Sequence, residues 1–207
     1  MEVSKNGNLK HYNNPFEIYS PERDYWLGWI FSDGCIVKDK THAYVYLACL
    51  DYDILVKFKE FCGERAKLNS FKYITPKSKE TRTMYKVVIN SQELVVFFAN
   101  NYNLCGKKSS TLNPPIELNW DIMRGVYDGD GSFKKGVVVT TCSEDFKNKI
   151  TTFYDKYNLH YTITKDSAYR IAIYRKYDIK RVFHFLYDNQ TLYLDRKKQD
   201  LSGLAIK

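Results

Sequence analysis

Apolar positions along the chain follow two periods, and the two kinds of segment come in the same order twice. In residues 51–61, Ile54, Leu55 and Phe58 fall on one face at helical spacing, and residues 91–101 read as a second helix, opened by Ser91 as its cap with Leu94 and Val95 packed behind it. Residues 44–49, 68–75 and 82–89 alternate like strands. The order then recurs: residues 136–141 as strand, 143–157 as helix capped by Ser143, 161–164 and 169–175 as strands, and 178–187 as helix. Each half reads α-β-β-α-β-β-α, which predicts a pseudo-twofold α+β fold with antiparallel hairpins on one side and helices on the other.

A repeat underlies this order. YWLGWIFSDGC at 25–35 recurs as IMRGVYDGDGS at 122–132, each with a Gly (Gly28, Gly125) five residues before an Asp-Gly pair. The boundaries expected are an N-terminal extension over 1–24, a first half over 25–106, a linker over 107–119 stiffened by Pro114-Pro115, and a second half over 120–207. Read as helices, the copies place Gly28 and Ser32, and Gly125 and Gly129, four residues apart, so each carries a stripe without bulk. Two such stripes allow close backbone approach at a helix crossing.

Each predicted helix ends in Asp-Gly. Gly34 and Gly131 suit a left-handed C-cap. Asp33 and Asp130, however, put negative charge at the negative end of the helix dipole, where a basic residue is favoured. A local rule broken twice at equivalent positions points to function. If the helices pack side by side, the two carboxylates emerge together, and at about 4 Å they repel by about 4 kcal/mol at an effective dielectric of ~20. A shared proton or a cation must offset that. Mg²⁺, which binds few carboxylates and takes further ligands from phosphate and water, answers it and activates water beside a phosphodiester.

Composition agrees with a polyanionic partner. The 207 residues include 32 Lys+Arg and 24 Asp+Glu, a formal net charge of +8. Five cysteines form no C-x-x-C pair and have no His at ligand spacing, so reduced, mostly buried thiols are expected. Neither a P-loop nor a His-centred hydrolase pattern is present. No apolar run is long enough to span a bilayer, and the first twenty residues lack a signal-peptide core, so a soluble intracellular protein is expected.

WLGWIFSDG (26–34) and MRGVYDGDG (123–131) resemble the two copies of the LAGLIDADG motif in single-chain homing endonucleases. NLCGKKSSTLNPP at 103–115 and YLDRKKQDL at 193–201 are similar to the ends of that family's halves. Phe31 and Ser32 depart from the Asp-Ala of the family pattern. The resemblance implies a saddle of two four-stranded antiparallel sheets and a monomer that makes a double-strand break in a long, nearly palindromic DNA site. It implies two or three divalent ions at the pseudo-twofold centre, Mg²⁺ with Mn²⁺ able to substitute. Asp33 and Asp130 would hold them, helped by the carbonyls of Ser32 and Gly129. A basic residue from the end of each half maps to Lys108 and Lys197, with Lys107 and Lys198 as rivals. A mobile-element product from an intron or phage fits, in the cytoplasm of a bacterial or phage-infected host or in an organelle. The alternative on the same scaffold is a non-catalytic RNA maturase or DNA-binding regulator.

Residues 65–86 hold seven Lys/Arg and one acidic residue, Glu80. A two-stranded ribbon carrying such charge fits a major groove. The DNA-binding set is Tyr44, Tyr46, Lys72, Lys77, Lys79, Arg82 and Lys86 in the first half, and Lys134, Lys135, Arg170 and Arg175 in the second.

Overall fold

The computed structural model describes residues 13–75, 79–104 and 108–206. Two helices at its centre carry the repeated motif. The first, α1 (Pro21–Ser32), is opened by Ser20, whose Oγ accepts the Arg23 N–H at 3.0 Å, with Pro21 in the first turn. Its counterpart α4 (Trp120–Asp130) is capped by Asn119, whose Oδ1 accepts the Ile122 N–H at 2.9 Å while its amide donates to Asp24 of α1 at 2.5 Å. One side chain thus starts the second motif helix and ties it to the first.

Seven residues in a row, from Tyr25 to Phe31, are buried, so α1 is a core helix on all sides. Its crossing with α4 leaves no room for side chains. A Cβ on Gly28 would collide with the Ile122 carbonyl and lie 2.9 Å from Gly125 Cα; one on Gly125 would collide with the Tyr25 carbonyl. The side-chain-poor stripes are therefore a backbone-to-backbone contact, as their spacing predicts.

The first half continues with β1 (Cys35–Lys38), β2 (Ala43–Cys49), α2 (Tyr52–Cys62), β3 (Ala66–Ile74), β4 (Thr81–Asn90) and α3 (Gln92–Tyr102). Its strands form one antiparallel sheet in the order β1-β2-β4-β3. Val45, Leu47, Val87 and Ile89 pack on the helices, while Tyr44, Tyr46, Lys86 and Arg82 occupy the opposite, open face. Ser91 caps α3 by accepting the Leu94 N–H at 3.1 Å, and Ser143 caps the helix that follows it in the second half by accepting the Phe146 N–H at 3.2 Å.

The second half has the smaller sheet. After α4 come β5 (Val137–Thr141), α5 (Glu144–Lys156), β6 (Thr162–Lys165), β7 (Tyr169–Ile173), α6 (Lys176–Tyr187) and α7 (Asp195–Ile206). Among the described residues its sheet has three strands, β5-β7-β6, in place of the expected four. Where the first half has β1, the second has one bridge, Ser132 to Val138. The reason is length: 18 residues separate Asp33 from Asp51, but only 13 separate Asp130 from Ser143, too few for a hairpin.

Two smaller expectations change. Gly34 and Gly131 are not left-handed; only Gly63 among the described glycines has positive φ. They are small because the chain doubles back: a Cβ on Gly34 would stand 2.6 Å from Ile30 Cα, and one on Gly131 would collide with the Tyr127 carbonyl. Of the described cysteines Cys62 alone is buried, and Cys142 is exposed. Among the described residues no helix is long and apolar enough to cross a membrane.

Replacing Gly with Ala in an ordinary helix gains about 1 kcal/mol. At Gly28 or Gly125 the sign should reverse, with a loss of about 3 kcal/mol as the helices are forced apart. Urea unfolding of Gly28→Ala and Gly125→Ala checks this, and an unchanged midpoint would mean the crossing relaxes freely.

Candidate active site at the helix crossing

Because α1 and α4 cross glycine on glycine, their C-terminal ends stay together. Asp33 ends α1 and Asp130 is the last residue of α4. A Cβ on Gly129 would collide with Ser32 Oγ and stand 3.1 Å from Asp33 Oδ2, so the Asp33 carboxylate lies directly against the turn that carries Asp130. The Ser32 hydroxyl turns back along its helix to the carbonyls of Gly28 and Trp29, at 3.1 and 3.2 Å.

A lysine closes each helix end. Lys108, on a single 3₁₀ turn (Lys108–Ser110), donates from Nζ to the carbonyls of Ile30, Phe31 (2.9 Å) and Ser32 (3.0 Å). Lys197, on α7 and 7% exposed, donates to the Gly131 carbonyl. The basic residues that the dipole rule asks for are present, but each arrives from a distant part of the chain. Of the rivals, Lys198 turns away over the Tyr193 ring, 4.0 Å from its centroid, and Lys107 lies outside the described residues.

These charges shift one another. Asp33 is pushed from its ordinary 3.8 up to about 6, chiefly by burial and then by Asp130, against the pull of Lys108, Lys197 and Arg196. Asp130 is raised too, by burial, with Lys108 and Lys197 opposing. Both aspartates reach solvent at the surface, yet protein on their other sides makes the charged form costly. Burial brings Lys108 down to about 8, resisted by Asp130 and Asp33, and lowers Lys197. Lys108, Asp130, Ser32, Phe31, Thr140 and Cys142 line a crevice of about 290 Å³ between the halves.

The donor set fits a hard divalent cation. It consists of oxygens alone, two repelling carboxylates and the backbone carbonyls beside them. Among the described residues no cluster of three or more His, Cys, Asp or Glu forms a closed metal site. Two carboxylates suit an ion that keeps water or phosphate in its remaining positions. The Ser32 carbonyl, an expected ligand, already receives the Lys108 ammonium.

The expected DNA-binding residues do not all share a face. Tyr44, Tyr46, Lys86 and Arg82 do: the Lys86 ammonium sits 3.8 Å from the Tyr46 ring centroid and 5.8 Å from that of Tyr44, and Arg82 pairs with Glu80 at 2.8 Å. Lys72 points to the other side of the same ribbon, where it donates to Thr83 Oγ1 at 3.3 Å. Lys79 stands at the hairpin tip with φ +58°, and Lys77 lies outside the described residues. In the second half Arg170 is exposed on the open face beside Thr140 and Thr164, and Lys134 and Lys135 are exposed in the bend before β5. Arg175 is off the sheet, at the start of α6, with its guanidinium 2.8 Å from His160 Nδ1.

Residues 20–103 match the LAGLIDADG-like domain family. The fold of the whole chain is that of LAGLIDADG proteins of known structure. It is similar to the homing endonuclease I-WcaI bound to its DNA recognition sequence, with TM-score 0.65 and 14% identity over 96% of this chain and 94% of that one. It is likewise similar to the LAGLIDADG meganuclease I-AabMI bound to uncleaved DNA, with TM-score 0.56 and 14% identity over 91% of both chains. The N-terminal LAGLIDADG domain of DUF199/WhiA shares the fold at TM-score 0.55 and 11% identity, over 92% of this chain and 90% of that one. No curated protein sequence matches the chain.

Sequence reading misses three site neighbours of this LAGLIDADG fold. Arg196 grips Asp51 of the other half with both nitrogens, at 2.9–3.2 Å. Arg124 and Asp128 are buried charges on α4, a helix whose Asp121 and Asp130 are charged as well, so nothing in the sequence marks the two as buried.

An Asp whose folded value exceeds its unfolded 3.8 stabilises fully below 3.8, and that contribution is lost as pH rises through about 6. Asp33→Asn should therefore melt higher than the wild type above pH 6 and converge with it near pH 4. Thermal scans across that range without divalent ions check the sign; an Asn variant that melts lower at pH 8 would mean the lysines outweigh burial.

Proposed function

We propose that the protein is a site-specific homing endonuclease that makes a double-strand break in DNA by divalent-metal-dependent phosphodiester hydrolysis. The observation that carries this reading is the pairing of Asp33 and Asp130 at adjoining helix ends, each beside a lysine, Lys108 half-buried and Lys197 buried. Two carboxylates kept together against their own repulsion suit a cation. The solved relatives bound to DNA support a nucleic-acid partner for this scaffold.

In this reading Asp33 and Asp130 hold Mg²⁺, or Mn²⁺ in its place, with the Gly129 carbonyl beside them. When bound, the metal supplies an activated water and neutralises charge developing on the phosphate. Lys108 and Lys197 keep positive charge beside the same phosphates while locking the helix ends. The open face bearing Tyr44, Tyr46, Arg82 and Lys86 takes the duplex groove, with phosphate contacts setting position and base contacts setting sequence. Both motif helices come from one chain, so a monomer suffices, and sedimentation at micromolar concentration tests this.

Replacing Asp33 or Asp130 by Asn should lower cleavage by orders of magnitude and leave DNA affinity equal or tighter. Ca²⁺ should support binding with little cutting. Paired gel-shift and plasmid-cleavage assays check both. Undiminished Mg²⁺-dependent cutting by both variants would put the active site elsewhere; a wild type that binds but never cuts would favour the maturase or regulator reading.

The sheets also differ in reach. β3 has nine residues and β6 four, which at about 3.3 Å per residue is roughly 30 Å against 13 Å. Base substitutions in the half-site under the first sheet should cost more affinity than those under the second. Competition binding over a single-substitution target library reads this directly, and equal losses in the two half-sites would contradict it. Arg82→Ala and Lys86→Ala should weaken binding or relax the preferred sequence on the first side only.

A further inference from the structure

Asp128 is the carboxylate in the second motif that the metal-centred reading leaves unused. It stands where the first copy has Phe31, and it is fully buried. A carboxylate out of water must have its lone pairs met, and this one does. Its Oδ1 accepts the Tyr187 hydroxyl at 2.9 Å; its Oδ2 accepts the Tyr25 hydroxyl at 2.9 Å and the Leu194 N–H at 2.8 Å.

The third contact differs in kind from the other two. Leu194 directly precedes α7, and its carbonyl accepts the N–H groups of Lys197 and Lys198 at 3.0 and 3.1 Å, so it is the cap from which the helix starts. One turn earlier on α4, Arg124 donates to the carbonyls of Leu192 at 3.0 Å and Leu186 at 3.5 Å. Two buried charges on one helix therefore grip the chain from the last turn of α6 to the start of α7. The first half has no counterpart, since Phe31 packs among Tyr102 and Phe146 and Lys108 rides on its own 3₁₀ turn.

We propose that Asp128 is a positioning residue: by accepting the Leu194 N–H it fixes the start of α7 against α4 and so delivers the Lys197 ammonium to the Gly131 carbonyl beside Asp130. The consequence for cleavage rests on the endonuclease reading; the positioning itself does not. It also makes the two lysines unequal, because Lys197 depends on a buried carboxylate and Lys108 does not.

The test is lysine acylation with limiting acetic anhydride, read peptide by peptide by mass spectrometry on the full chain. In the wild type Lys197 and Lys108 should both react slowly. In Asp128→Asn, whose amide meets a buried donor with one fewer acceptor, Lys197 should react at least about fivefold faster while Lys108 stays within twofold. Asp128→Leu, apolar like the first copy at this position, should do the same and keeps the test open if the Asn variant fails to fold. Tyr187→Phe, which leaves the Leu194 contact intact, should keep Lys197 protected. Protection of Lys197 in either folded Asp128 variant, or equal exposure of both lysines, would overturn the proposal. A wild type that cuts no DNA would defeat the endonuclease reading and leave the acylation result to decide this one.

Discussion

The contact between Gly28 and Gly125 sets the terms for everything around it. Two helices whose backbones touch have no side chains with which to adjust, so their relative depth and angle are fixed by main-chain atoms alone. Both lead straight into an aspartate, and the geometry of the backbone contact becomes the geometry of the carboxylates. Burial of Tyr25, Trp26, Trp29 and Ile30 around the crossing keeps it closed. The cost is a pair of like charges that the fold itself does not neutralise.

The lysines complete that arrangement from far away in sequence. Lys108 spans the three last carbonyls of α1, and Lys197 takes the carbonyl just past α4. Each side chain answers the negative end of a helix and moderates the aspartate beside it. Burial pulls the lysines down and pushes the aspartates up, so all four groups move toward neutral pH, where small changes in surroundings alter charge.

The crossing was legible in the sequence because a backbone contact permits only glycine or serine, and the same restriction, written twice, stands out. The serine caps were legible for a similar reason: Ser91 and Ser143 serve a local donor three residues on. Helix α7 was not, since its buried stripe reads Lys197, Leu201, Ala205, and a lysine in the first position hides the apolar period. The face of Lys72 was legible by alternation, but charge alone drew it into the DNA-binding set. The two Asp-Gly glycines were read as left-handed caps, and the structure asks for small size instead, because a doubling back of the chain and a left-handed turn ask for the same residue. The missing strand lay in plain view as a shorter spacing, yet the repeat made symmetry the natural expectation.

The Arg196–Asp51 pair gives the molecule a constraint of a different sort. It joins the start of the last helix to the cap of α2 in the opposite half, so the two halves are not interchangeable parts. A chimera that kept residues 120–207 and took its first half from another protein would inherit whatever that donor carries at position 51. With anything but a carboxylate there, the guanidinium would lose its anchor one residue before Lys197. Recombination between relatives would thus meet a compatibility rule written in two residues 145 positions apart.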